Sequence, residues 1–294
     1  MVGYRFFACD CRHALHRLLV LAASLYLCTS AALATTLRVA LEDADNRPYA
    51  YRDERGEWTG FHSELIRAVA KQLEWDVLFI PVPWTRAQNM LAQGTADAVP
   101  YMGKNAQRLN YALFLPDNRL HIQHVSLYIR RADSGRIEYT PPLTTLMQQW
   151  RFGAPRNYFV GDEFIQALAA GAPMDQTAPT PQKLFAMLLA GRIDIAVAEA
   201  QTFQIVEPRI RDAHVRIIRL AGVTLEGTAM YLAFRRAGAG PQQAQEFAAA
   251  YAAWRKSDEY AQLIERFGIA DRIPEDFRAQ ALRPSGSPPQ ARPR

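Results

Sequence analysis

From Phe61 onward, apolar residues recur at Leu65, Ile66, Val69, Ala70 and Leu73, the three-to-four spacing of an amphipathic helix. Before it, Leu37, Val39 and Leu41 share one face of 37–43, the two-residue period of a half-buried strand that runs out into acids and a proline. The glycine in 52–61 marks a turn joining two extended pieces. After the helix, 77–83 is a β-branched run closed by prolines, 85–94 a helix stopped by Gly94, and 96–102 a short buried strand. Strand and helix thus alternate, the order expected of a parallel α/β sheet with crossover helices.

The pattern restarts in the second half. It predicts strands over 150–155, 192–199, 214–222 and 228–236, and helices over 164–171 and 179–191, the latter opened by Pro181 and closed by Gly191. A long helix follows over 242–268, with a break near 256–258, and then a Pro-, Ser- and Arg-rich end. The stretches 91–101 and 188–200 echo one another: each reads helix end, glycine, two residues, aspartate, buried strand. Two similar α/β lobes facing each other account for the echo. Ligands of such sheets sit at the carboxyl ends of the strands. Arg108 follows one such strand and Glu199 ends the other, so a cleft between lobes is expected to oppose a cation and a carboxylate. Asp97 and Asp194 are read as structural, tied to the backbone of their turns.

Composition changes this picture little at first. Of 294 residues, 49% are hydrophobic and 21% charged, which suits globular lobes rather than a disordered or membrane-filling chain. The formal charge of +5 is dispersed among both signs without a basic run, so no nucleic-acid partner is expected. The first 34 residues read as a secretory signal: three arginines, an apolar stretch too short to span a bilayer, and a small-residue end at Ala32-Leu33-Ala34. Removing them takes away three arginines and Asp10, lowering the formal charge from +5 to +3. It also removes all three cysteines (Cys9, Cys11, Cys28), so the exported chain has no thiol or disulfide chemistry. His62, His121 and His124 are too scattered for a metal site, and no metal or cofactor is expected.

The ordered set Gly60-Phe61, Glu64, Gly94, Asp97 and Arg108, with 191–200 and the C-terminal helix ending in Phe267-Gly268, resembles the family 3 periplasmic solute-binding proteins, best known as receptors for polar amino-acid importers. The resemblance spans about 37–270. It implies an α/β, two-lobed periplasmic binding fold: two Rossmann-like lobes joined by a two-segment hinge, with 35–123 plus 228–275 as one lobe, 124–227 as the other, and 276–294 as a disordered tail. The crossings are expected near 120–128 and 224–230, with Gly227 absorbing the dihedral change. Arg108 matches the arginine that grips a ligand carboxylate, since a planar guanidinium can pair with it bidentately. Glu199 matches the acid that accepts from a ligand ammonium, Trp84 an aromatic contact, and Tyr49 the ligand-facing first loop.

Two departures from the family pattern stand out. The hydroxyl residues before the arginine are replaced by Tyr101-Met102-Gly103-Lys104-Asn105, and the opposite helix-start turn reads Arg156-Asn157-Tyr158-Phe159. Tyr101, Tyr158 and Arg156 therefore join the candidate ligand contacts, and point to a more aromatic or more anionic ligand than a standard amino acid. The expected function is capture of a small carboxylate-bearing solute in the periplasm, by a non-enzymatic monomer that serves an ABC permease or a membrane sensor. The alternatives are an enzyme resembling periplasmic cyclohexadienyl dehydratases, with Glu199 as its acid, and an orphan sensory binding protein acting in trans.

Overall fold

A computed structural model of the chain describes residues 35–223 and 225–281. The signal segment expected at 1–34 lies outside the described residues. Strand β1 (Thr36–Glu42) leads through a small antiparallel pair, β2 (Tyr51–Arg52) and β3 (Trp58–Thr59), into helix α1 (Phe61–Gln72). Its periodic residues Phe61, Leu65, Ile66, Val69 and Ala70 are all buried, with Glu64 in its first turn and Lys71 in its last. Strand β4 (Asp76–Val82) lies parallel to β1 in unbroken register from Thr36↔Asp76 to Glu42↔Val82. Helix α2 (Trp84–Gln93) ends at Gly94, whose φ of 74° supplies the left-handed cap. Strands β5 (Ala98–Gly103), β6 (Ala112–Leu113) and β7 (Arg119–Gln123) follow.

Only His124 separates β7 from β8 (Val125–Arg130), yet the two strands belong to different sheets. The second sheet continues with α3 (Leu143–Gln149), β9 (Phe152–Pro155), α4 (Asp162–Ala169), β10 (Asp175–Ala178), α5 (Pro181–Leu189) and β11 (Ile195–Glu199). Helices α6 (Ala200–Val206) and α7 (Ala213–Arg216) then lead to β12 (Ile217–Arg219). The chain returns to the first sheet as β13 (Thr228–Arg235) and finishes with α8 (Gly240–Trp254), α9 (Asp258–Phe267) and α10 (Glu275–Ala281). The sheets are ordered β4-β1-β5-β13-β6, with β7 also on β13, and β10-β9-β11-β8-β12. Each lobe buries its own apolar clusters. This is the two-lobed α/β architecture the pattern implies. Among the described residues no helix is long and apolar enough to cross a membrane.

The echoed stretches are one device used twice. Asp97 accepts from the backbone N–H and the guanidinium of Arg38 at 2.8–2.9 Å. Asp194 accepts from the N–H and guanidinium of Arg151 and from Arg130 at 2.8–3.2 Å. In both lobes the aspartate ties the turn before a core strand to the edge of the neighbouring strand, and both carboxyls are held below their ordinary range by those donors.

Three expectations change. Residues 213–216 form α7 where a strand is expected over 214–222; only 217–219 are extended. The end is ordered beyond 275: α10 buries Phe277 at 1% exposure, beneath the Arg255 guanidinium 3.6 Å from its ring, so a disordered tail does not begin at 276. Residues 282–294 lie outside the described part. Gly227 is set by close packing rather than by an unusual dihedral: a Cβ there would lie 2.4 Å from Ile122 and 2.6 Å from His124, where the two crossing segments touch.

Candidate functional site

The carboxyl ends of the strands converge between the lobes. Glu42 is the last residue of β1, Gln123 of β7 and Glu199 of β11, while Tyr101 lies within β5. Tyr101 has φ 60°, a left-handed value costly for a residue with a Cβ, where the β5–β13 register shifts between Tyr231 and Ala233. Strain of this kind costs on the order of 1–3 kcal/mol and persists where a side chain must be aimed. Here the Tyr101 hydroxyl crosses to the second lobe and donates to Glu199 Oε1. The Gln123 amide donates to the same oxygen. In the opposite sense, the Tyr158 hydroxyl of the second lobe donates to Glu42 Oε1 of the first at 2.5 Å, and Asn46 donates to Oε2 at 3.1 Å.

These groups surround a cavity of about 210 Å³, bordered by Glu42, Tyr49, Tyr101, Tyr158, Glu199 and Gln201, with Asp45, Arg47 and Arg209 at its rim. Tyr49 is 1% exposed, and its hydroxyl accepts from Arg272 at 3.2 Å and from Gln201 at 3.4 Å. Burial raises the Glu199 carboxyl above its ordinary range, against the lowering effect of Tyr101, Gln123 and Arg272. Burial raises Glu42 likewise, against Tyr158 and Asn46. Both acids therefore sit where a negative charge lacks solvent and a full counter-charge.

Behind Tyr49 lies an arrangement the sequence spacing concealed. His62 and His121, far apart in the chain, meet at 3.0 Å between Nε2 and Nδ1, with Tyr49 stacked 4.8 and 4.0 Å from their ring centroids. Burial holds the His62 ring neutral, with its pKa lowered to about 3, and lowers His121 as well. Among the described residues no group of three or more His, Cys, Asp or Glu could hold a metal ion.

The structure separates the sequence-nominated residues into three places. Glu199, Tyr49, Tyr101 and Tyr158 share the interlobe cavity. Arg108 does not share it, which corrects the expected opposition of Arg108 to Glu199 in one cleft. It is 4% exposed and borders a second cavity between the lobes, of about 300 Å³, with Gln88, Asn105, Asn157 and Tyr158, the last of which lines both. Its guanidinium donates to Gly103 O at 2.8 Å, to Asn157 O at 3.1 Å and to Gln88 Oε1 at 3.3 Å. Protein carbonyls thus take three of its five N–H donors, one on each nitrogen. Trp84 joins it: its indole N–H donates to the same Asn157 carbonyl at 2.9 Å, and its ring centroid lies 5.5 Å from the guanidinium. Trp84 also borders a narrow pocket with Glu42, Tyr101, Gln123 and Tyr158. Arg156 is exposed, donates to Thr177 O at 3.2 Å and borders neither of these two cavities.

Glu42, Gln123 and Gln201 were not legible as site residues. Glu42 carries the clearest signal in hindsight, since it ends a strand of the first lobe as Glu199 ends one of the second.

The sequence model of the bacterial extracellular solute-binding proteins, family 3, matches residues 37–269. No curated protein matches the sequence. Among solved structures, the chain is similar to a histidine kinase sensor domain with similarity to periplasmic binding proteins, at 20% identity and TM-score 0.63, covering 80% of this chain and 96% of that one. It is similar also to an ABC uptake transporter substrate-binding protein from Streptococcus pneumoniae with bound histidine, at 16% identity and TM-score 0.61, covering 79% and 92%. A third is an ancestral amino acid-binding protein described as a precursor of cyclohexadienyl dehydratase, at 19% identity and TM-score 0.60, covering 79% and 95%. At these identities the likeness is one of fold.

Proposed function

The chain belongs to family 3 of the bacterial extracellular solute-binding proteins, and from that premise we propose that it captures one small polar solute between its lobes and presents the closed form to a membrane partner. The observation that carries this reading is the reciprocal pair of contacts around the interlobe cavity, Tyr101 to Glu199 and Tyr158 to Glu42. Opening at His124 and Gly227, where the two crossing segments touch, parts both contacts together and exposes the cavity. Closure around a solute restores them and strips water from the charged groups, which strengthens every polar contact inside.

The chain works outside the cytoplasm, in the periplasm, after loss of 1–34, and as a monomer. Its partner is an ABC permease or a membrane sensor. The sensor-domain neighbour supports the second as much as the importer neighbour supports the first. No catalytic step is assigned. A dehydratase reading joins a carboxylate-gripping arginine to an acid in one cavity, and Arg108 and Glu199 border different ones.

The test is a thermal-shift screen of ligand-free protein against amino acids, dicarboxylates, aromatic acids and amines. A solute at about 100 times its dissociation constant adds about 2.7 kcal/mol, a rise in melting temperature of several degrees. A shift lost in Tyr101→Phe/Tyr158→Phe supports the reading. A shift that this double variant leaves intact places the solute elsewhere and overturns it.

A further inference from the structure

The polar chemistry around the interlobe cavity is one-sided. Glu42, Asp45 and Glu199 bring three carboxylates to it. Both donors to Glu199 fall on Oε1, and no donor among the described residues reaches Oε2. Two oxygens bordering the cavity or its adjoining pocket are buried without a hydrogen-bond donor: Gln123 Oε1 and Gln201 Oε1. Gln123 is only 8% exposed, and its orientation is fixed, because its amide N–H₂ must face Glu199 and so turns its oxygen away as an unused acceptor. The hydroxyls of Tyr101 and Tyr158 are already donated to the two glutamates.

Positive charge is scarce on the same walls. Among the described residues, the cations bordering the cavity are Arg47 and Arg209, with side chains 55% and 54% exposed and both directed to Asp45 at 3.3 and 3.7 Å. Arg108 borders the other cavity and is engaged by protein carbonyls. An entering carboxylate would therefore meet like charge and unpaired lone pairs. An entering N–H cation would meet acceptors on several sides.

Resting on the receptor reading above, we propose that the cavity takes a compact organic cation with several N–H donors, a primary amine or a guanidinium compound, seated between Glu42 and Glu199 with no carboxylate required. Its charge supplies the counter-ion that Glu42 lacks and adds to the single cation, Arg272, that acts on Glu199. Its N–H groups reach Glu199 Oε2 and the unused oxygen of Gln123. The solute is thereby of opposite charge to the one that an arginine clamp would select.

Isothermal titration of the purified protein tests this with four probes of matched size: 1,4-diaminobutane, butylguanidinium, butanoate and butanedioate. The cations are expected to bind at least tenfold more tightly than the acids. Glu42→Gln and Glu199→Gln, nearly isosteric, should each weaken cation binding by tenfold or more, with a cooperative melt in the absence of probe showing that each variant folds. Tighter binding of the acids, or cation binding unmoved by both substitutions, overturns the cation assignment and leaves the interlobe receptor standing. Absence of binding by all four probes overturns the assignment too. In that case the wider solute screen decides the receptor reading separately.

Discussion

The Tyr101 hydroxyl, on a residue held at φ 60°, donates across the lobe boundary to the Glu199 carboxylate. A strand residue is forced into a left-handed conformation so that its ring and hydroxyl reach the other lobe. The partner carboxylate is the terminal residue of a buried strand, so neither end of the bond can drift. In the proposed receptor, closure is thereby coupled to the charge state of the cavity.

Removing the hydroxyls should loosen closure without unfolding either lobe, because both rings keep their packing. Tyr101→Phe and Tyr158→Phe are each expected to cost the closed form about 1–2 kcal/mol. The two losses should be nearly additive if the contacts act independently. Small-angle scattering with the solute found by thermal shift at one fixed concentration checks this: the double variant should have the larger radius of gyration.

Arg108 should behave as a structural latch. Arg108→Ala leaves the carbonyls of Gly103 and Asn157 without their guanidinium donors. The expected cost is about 2–3 kcal/mol of stability, read by urea unfolding of the ligand-free protein. Unchanged stability together with lost solute binding would instead restore the ligand-clamp role.

The pH dependence of stability has a definite sign at Glu199. Its carboxyl is raised in the folded protein by burial, so the folded state holds that proton more tightly than the unfolded chain does. Its contribution is fully present below the ordinary carboxylate range and is lost as pH rises through the raised value. Around it stand Tyr101, Gln123, Arg272 and Tyr49, and Arg272 alone carries positive charge toward it. Glu199→Gln should remove this loss, melting on the order of 2–4 °C above the natural protein near neutral pH. Equal melting temperatures across that range would contradict the assignment.

Asp194 should act in the opposite direction. Its carboxyl is held low chiefly by Arg151 and also by Arg130, so its contribution is present above the ordinary aspartate range and is lost as pH falls toward the lowered value. Asp194→Asn and Asp97→Asn should each cost about 1–3 kcal/mol near neutral pH. Being in different lobes, the two losses should add. Urea unfolding at falling pH checks both, since the difference between each variant and the natural protein should shrink as the carboxyl takes up its proton.

Much of this architecture was legible from the chain because it rests on local rules. The period of Leu65, Ile66 and Val69 specifies α1, and Gly94 its neighbour's end. The glycine-x-x-aspartate echo specifies the turn before a core strand in each lobe. Long-range pairings were not legible. Nothing near Glu42 announces that Tyr158, 116 residues away, will donate to it. His62 and His121 meet only through the tertiary fold, one carried by α1 and the other by β7. Arg108 was found at the right kind of position, after a strand and before a turn, but its sequence neighbours do not reveal that backbone carbonyls from both lobes will occupy its donors. Phe277 shows the same limit at small scale: one aromatic in a polar stretch suffices to seat α10 against the core.

The central claim, that a solute closes the two lobes on each other, is tested most directly by a distance across them. Leu78 in the first lobe and Val215 in the second are 51% and 53% exposed, and the chain after residue 34 has no cysteine, so Leu78→Cys/Val215→Cys accepts two spin labels cleanly. Pulsed electron resonance should give a broad or long distance distribution without solute, and a single narrower, shorter one when the solute found by thermal shift is bound. A distribution that the same solute leaves unchanged would contradict capture by lobe closure.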